Sequence, residues 1–239
     1  MAQNFCILLC IVIILVSGFL LQPRRTTSYN APDGWSGRIW ARTGCSLGKN
    51  GGIDNSTCQT GDCGPSLNCT KLSSLPITLV EFSVGNNGSV DFYDVNLVDG
   101  FNIPIAVQPV DGKGNCSTVG CDGDLRDSCP SELAVKSNGE VTACRSACDA
   151  FNTDEYCCRG AFSDPAACLA TNYSRSFKQA CPAASSYGGD TLTITCTYHD
   201  HKVVCTNTNA SKGFKTIPGS WWSLMLALPF TSLLHTFLL

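Results

Sequence analysis

Seventeen cysteines in 239 residues constrain this chain more than any other feature. Cross-links at such density persist in oxidising compartments and are scarce where thiols are kept reduced. Fifteen of the cysteines lie between Cys45 and Cys205, and seven of those fall between Cys116 and Cys158. An odd count in a secreted chain requires an intermolecular bridge or a free thiol. Zinc does not account for the pattern: Cys58, Cys63 and Cys69 lack the paired C-x2-C ends of a structural site, and the chain has only 3 His. His199 and His201 alternate as in an exposed strand. No metal and no other cofactor is expected. The adjacent Cys157 and Cys158 are expected to bond to separate partners.

Composition narrows the class further. A 44% apolar content can supply a core, which excludes a disordered chain. Gly 22 and Pro 11 point to a loop-rich, β-dominated domain. Charged residues make up only 15%, and 16 Lys+Arg against 19 Asp+Glu leave little room for a basic stripe, so no nucleic-acid partner is expected.

Both ends read as processing segments. Cys6 to Leu21 is almost unbroken apolar and is followed by Gln22-Pro23-Arg24-Arg25. Residues 1–28 are therefore read as a secretory signal, cleaved after Gly18 or nearer Ser28. The arginines after the apolar run also suit a membrane anchor. At the other end, the small residues Asn209-Ala210-Ser211 precede a polar spacer and an apolar tail from Trp221 to Leu239. That order is the signal for glycosylphosphatidylinositol attachment, with a single membrane helix as the alternative. Residues 29–209 remain as one domain and 210–239 as the attachment signal. Sequons at Asn55, Asn68, Asn87, Asn115, Asn172 and Asn209 agree with secretion. Asn68 and Asn115 have cysteine at the middle position, and Asn209 has lipid attachment as its alternative role.

Alternation then locates strands. Val80, Phe82 and Val84 share one face of Leu75 to Val84, with Glu81 on the other. Asp91 to Val98 places Tyr93, Val95 and Leu97 on one face and Phe92, Asp94 and Asn96 on the other. Asp99-Gly100 closes it as a turn. Phe101 to Val110 continues in extended form. Short helices are expected at Glu132 to Val135 and Ala143 to Phe151, and strands at Thr191 to Cys196 and Val203 to Cys205.

Four stretches together resemble one known family. They are Gly37-Arg-Ile-Trp-Ala-Arg-Thr-Gly-Cys45, Cys58-Gln-Thr-Gly-Asp-Cys63 with Cys69, Asp91-Phe-Tyr-Asp-Val-Asn-Leu-Val-Asp-Gly-Phe-Asn102 and Glu155-Tyr-Cys-Cys158. This is the pattern of thaumatin-like, pathogenesis-related plant proteins, and it runs from about Ala31 to Cys205. The tail resembles the lipid-anchored branch. The resemblance implies an all-β fold, a two-sheet β-sandwich core with disulfide-rich loop subdomains. It implies the bridges Cys45–Cys58, Cys63–Cys69, Cys116–Cys196, Cys121–Cys181, Cys129–Cys144, Cys148–Cys157 and Cys158–Cys168. Cys205 is left unpaired, because the family's first strands and their cysteine have no counterpart after residue 28. On this reading the domain is N-terminally truncated, with an uncovered sheet edge, and a non-functional splice form is one alternative.

The resemblance also places a cleft. Arg38, Glu81, Asp94 and Asp99 match the family's cleft residues, and Asp190 matches them less closely. The residues themselves allow this, since Glu81 and Asp94 sit on polar strand faces and Asp99 sits at a turn. The function implied is plant defence by binding β-1,3-glucan, with the plasma membrane as a second partner through the anchor. The protein is expected to be a monomer at the outer membrane face or in the cell wall. The rival is a weak endo-β-1,3-glucanase, in which Glu81, Asp94 and Asp99 supply the two catalytic carboxyl groups that glycoside hydrolysis needs. Aromatic candidates for sugar stacking are Trp35, Trp40, Phe92, Tyr93 and Phe101, most of them expected in the core.

Overall fold

Alternating side chains decide which faces meet in this molecule. In the computed structural model, residues 7–12, 19–21, 25–46, 58–66, 69–86, 89–110, 112–114, 116–196 and 202–206 are described. The C-terminal tail, His199, His201 and the sequons at Asn55, Asn68, Asn87, Asn115 and Asn209 lie outside them. The strands are β1 (Ile7–Val12), β2 (Phe19–Leu21), β3 (Thr26–Asn30), β4 (Ser36–Arg42), β5 (Leu79–Ser83) and β6 (Asp91–Asn96). They continue as β7 (Ala106–Val107), β8 (Val119–Gly120), β9 (Ala134–Ser137), β10 (Glu140–Cys144), β11 (Ile194–Cys196) and β12 (Lys202–Thr206). Three short helices follow β10: α1 (Ala147–Phe151), α2 (Asp154–Cys157) and α3 (Asn172–Ala180).

One sheet has the order β11-β6-β5-β4-β1-β2 and the other β3-β12-β7-β8, while β9 and β10 form a separate hairpin. Val80, Phe82, Tyr93 and Val95 of the first sheet pack with Val107 and Val119 of the second in one core. This is the expected β-sandwich. The burial along β6 alternates as the sequence predicts, with Tyr93 and Val95 buried and Phe92 exposed. Trp35, Trp40, Tyr93 and Phe101 are buried, which leaves Phe92 as the outward ring of that set.

Three expectations need correction. The sequence reading left a sheet edge uncovered. In the structure Ile7–Val12 pairs antiparallel with β4, from Leu8 opposite Arg42 to Val12 opposite Arg38. An apolar, β-branched run has the character of a strand, and the unpaired N–H and C=O groups of an edge are a template for one. The helix expected at Glu132 to Val135 is instead the start of β9. Asn138-Gly139, both at positive φ, closes β9 onto β10 as a tight hairpin. The helix expected from Ala143 begins only at Ala147, after the Ser146 side chain caps it by accepting from the Asp149 N–H.

The described disulfides are Cys45–Cys58, Cys63–Cys69, Cys116–Cys196, Cys121–Cys181, Cys129–Cys144, Cys148–Cys157 and Cys158–Cys168. These are the pairs that the family resemblance implies. Cys158 adopts the left-handed conformation that ends α2, so the adjacent cysteines of the Cys157-Cys158 pair reach different partners. The loop carrying Cys58 to Cys69 covers the outer side of Trp40 and Leu79, making a second, smaller core. Its anchor is Arg42, a fully buried guanidinium that bonds Asp62 at 3.3 Å, the Ser66 carbonyl at 2.6 Å and the Gly64 carbonyl. Burial alone would raise the Asp62 carboxyl, but the Cys58 N–H, Lys71 and Arg42 outweigh it and hold the group below its usual value.

Asn102 stitches this loop to the sandwich. Its Oδ1 accepts from the Thr78 and Ile103 N–H groups at 3.0 Å, and its Nδ2 donates to the Ala41 carbonyl and Thr60 Oγ1 at 2.9 Å. Each partner is buried, so truncation leaves backbone groups desolvated and unpaired. Asn102→Ala is expected to cost at least about 2 kcal/mol of unfolding free energy, measured by urea denaturation. A loss below about 0.5 kcal/mol would show that the network relaxes around the cavity.

Candidate functional site

Three strands set the site by register. Arg38 on β4 lies opposite Glu81 on β5, and Glu81 lies opposite Asp94 on β6. Directly opposed residues of antiparallel strands have Cβ atoms about 5 Å apart, so the three side chains form one row across the outer sheet face. Arg38 Nε donates to Glu81 Oε1 at 2.8 Å, and Asn96 Nδ2 donates to the other oxygen, Oε2, at 3.0 Å. Asn96 is a member of the site that sequence reading did not assign. Its position two residues after Asp94 was the available signal.

The next row along the same face carries Ser36, Ser83 and Phe92 in register. The Ser36 and Ser83 hydroxyls are 3.0 Å apart, and Phe92 is 46% exposed. In the opposite direction the face disappears beneath Trp40, Leu79 and the Cys58–Cys69 loop. The charged row therefore sits at the boundary between covered and open sheet.

Asp99 enters from the turn after β6. Gly100 has φ of +93°, and a Cβ there would lie 2.4 Å from the Pro76 Cβ, so the turn requires glycine. The turn is held by Gly100 N–H to the Leu97 carbonyl at 2.9 Å and Ile77 N–H to the Asp99 carbonyl at 3.0 Å. Burial pushes the Asp99 carboxyl up; Arg38 opposes this, and the charges of Glu81 and Asp149 add to it. Asp99 is thus electrically part of the Arg38–Glu81 group. It also senses Asp149 of α1, a second residue that sequence reading did not assign. Asp149 is itself held by Arg145 at 2.7 Å.

Asp94 is pushed up to about 6, first by burial and then by the neighbouring Glu81 charge. The row therefore contains one carboxylate neutralised by Arg38 and one carboxyl that holds its proton in mildly acidic solution. Asp190 plays a different part. Its Oδ2 accepts from Lys178 Nζ at 2.9 Å and from the Ser186 N–H and hydroxyl at 2.9 and 3.1 Å. That carboxylate shapes the loop from Ala184 to Asp190. The charges acting on Asp94 and Asp99 come from Glu81, Arg38 and Asp149. Among the described residues no group of three His, Cys, Asp or Glu could hold a metal ion.

Comparison with known proteins now places this architecture. The profile described as "Thaumatin family" matches residues 12–208. Pathogenesis-related protein 5 of Arabidopsis thaliana is 48% identical over 188 residues, covering 78% of this chain and 77% of that protein. Pathogenesis-related thaumatin-like protein 3.5 of Cryptomeria japonica is 48% identical, covering 78% and 76%. The solved structure of the thaumatin-like xylanase inhibitor TLXI is 32% identical over 47% of this chain and 75% of its own, with a TM-score of 0.38. The chain belongs to the thaumatin family, and its relatives are plant thaumatin-like and pathogenesis-related proteins.

A raised carboxyl in the folded state makes stability depend on pH. Asp94 in the unfolded chain ionises near 3.8, against about 6 in the fold. Its charge therefore opposes folding above about pH 6, and that penalty is relieved as pH falls from 6 towards 4. Asp94→Asn is expected to raise unfolding free energy by about 1 kcal/mol at pH 7, after allowing for the partial exposure of the group, and by nothing at pH 4. Equal effects at both pH values would refute the assigned burial of its charge.

Proposed function

We propose that the outer face of β4–β5–β6 binds a neutral β-1,3-glucan of a cell wall, and that this binding underlies a defence role. The observation that carries the reading is the row Arg38–Glu81–Asp94 beside the exposed ring of Phe92. Sugar hydroxyls both donate and accept, and this row offers a guanidinium, a carboxylate and a protonated carboxyl within one short span. The apolar face of a pyranose suits an exposed aromatic ring. Asp99 extends the same set from the turn. The pathogenesis-related and osmotin-like names of the relatives agree with plant defence.

Pull-down on insoluble β-1,3-glucan tests the reading. Glu81→Gln with Asp99→Asn removes both charges at nearly constant shape and should weaken binding at least about fivefold, equivalent to ~1 kcal/mol. Undiminished binding by the double variant would remove the acidic face from consideration. A second reading, weak hydrolysis, is favoured by one observation: Asp94 is raised to about 6 directly opposite Glu81. A carboxyl raised in this way beside a second carboxyl group is suited to the acid role in glycoside hydrolysis. Release of reducing ends from laminarin should then fall as pH rises past about 6 and vanish in Asp94→Asn.

We further propose that the protein is held on the outer membrane face by a lipid attached within Asn209-Ala210-Ser211. Small residues, a polar spacer and an apolar tail support this. The seven described disulfides fit the oxidising, secreted setting that such an anchor implies. Phosphatidylinositol-specific phospholipase C should release the protein from plant membranes. Retention with the tail still detectable by mass spectrometry would favour a membrane helix instead.

A further inference from the structure

A groove of about 730 Å³ lies in the helical module, away from the row described above. That volume is in the range of small-ligand sites, about 300–1,000 Å³. Tyr156 of α2 and Tyr173 of α3 line it. With Phe151 at the end of α1 they form a three-ring cluster with centroid separations of 5.4, 5.4 and 5.7 Å. At those distances the rings fill the space between themselves, so no cation fits among them as in an aromatic cage. They present instead a continuous aromatic surface. Leu169, 69% exposed, extends it on the groove wall.

The groove's charged groups are Glu132, Glu155 and Arg175. Tyr173 donates its hydroxyl to Glu132 at 2.9 Å, which fixes both. Arg175 is already bonded to the Asn172 side chain and the Ala170 carbonyl. Two carboxylates against one engaged guanidinium disfavour an anionic ligand. A neutral ligand with an apolar face and hydroxyl edges fits both the rings and the rim.

The groove adjoins the proposed glucan site through α1, whose Asp149 acts electrostatically on Asp99. A smaller cavity shares Tyr156, Leu169 and Tyr173 with it, and is also lined by Val98, the chain neighbour of Asp99. A saccharide chain leaving the Asp99 turn would thus meet the aromatic surface next. We propose that this groove is a second saccharide subsite that receives the continuation of a β-1,3-glucan bound at the sheet face. The inference rests on the proposed glucan reading and adds a length requirement to it: long oligomers bind better than short ones because they reach α2 and α3.

Calorimetric titration of enzymatically deglycosylated protein with linear β-1,3-gluco-oligosaccharides tests this, since Asn172 on the rim lies in a sequon. The ligands are a trisaccharide and a long oligomer. Tyr156→Ala should weaken the long oligomer about tenfold, as truncation of a buried aromatic contact does, and leave the trisaccharide unchanged. Leu169→Asp, at a largely exposed position, should weaken the long oligomer in the same selective way. Equal long-oligomer affinity in the wild type and both variants would overturn the subsite. So would equal losses for both ligands, or a wild type with no length dependence. Tighter binding of a basic peptide than of the oligomer at the same groove would also overturn it, by assigning the rim carboxylates to a cation. The two readings fail separately. If Glu81→Gln with Asp99→Asn changes nothing while the Tyr156 and Leu169 variants retain their selective effect, the sheet face is lost and the groove stands.

Discussion

The register of β4, β5 and β6 is the constraint on which the rest of this structure depends. A slip of one residue would turn Arg38, Glu81 and Asp94 into the core and expose Ile39, Val80 and Val95. The direction of cause follows from magnitudes. Arg38 is 60% exposed, and an ion pair of that kind contributes at most about 1 kcal/mol. Burying one large apolar side chain contributes about 1.5–3 kcal/mol, and the three strands bury Ile39, Val80, Phe82, Tyr93 and Val95 on the core face. Apolar burial therefore sets the register, and the charged row is carried along with it.

Within that row, two carboxyl groups of the same chemistry meet different neighbours. Glu81 receives a guanidinium on one oxygen and an amide on the other. Asp94, directly across the strand, is left with burial and the charge of Glu81. One group is ion-paired and hydrogen-bonded, and the other is penalised for carrying charge. The contrast needs no special cofactor, only strand pairing that puts Arg38 on one side of Glu81 and Asp94 on the other. Asp99 falls between these cases, because Arg38 offsets part of what burial and its acidic neighbours impose.

Disulfides and buried polar networks do for the loops what the core does for the sheets. In the chain-entropy account, closing loops of ~15 residues or more contributes roughly 3–5 kcal/mol each. Arg42 shows the complementary device: a guanidinium removed from water, tolerable because a carboxylate and two backbone carbonyls meet it. That anchor fixes the Cys58–Cys69 loop over Trp40 and Leu79 and so marks where the open sheet face begins. Relatives named for defence share the family of this chain, and the loops surrounding the sheet are where its own site takes shape.

Much of this was legible before any coordinates. Period-two alternation in Val80-Glu81-Phe82 and in Phe92 to Leu97 assigned each side chain to a face, because strand geometry leaves only two choices. The cysteine-bearing motifs carried the family resemblance, and through it the sandwich and the bridge pairs. Other features were decided in three dimensions. The apolar run Ile7–Val12 reads in the sequence as part of a secretory segment or membrane anchor; its pairing with β4 is a property of the edge that receives it. Asn138-Gly139 turned a short stretch expected as helix into a hairpin. Asp190 differs from Asp99 through Lys178 and Ser186, whose approach depends on how α3 packs. Asn96 and Asp149 join the site through neighbours from distant parts of the chain. A linear sequence specifies which side of a strand a residue occupies, because that follows from backbone geometry alone. The partner it meets there, and hence the proton it holds, is set by what the tertiary fold brings alongside.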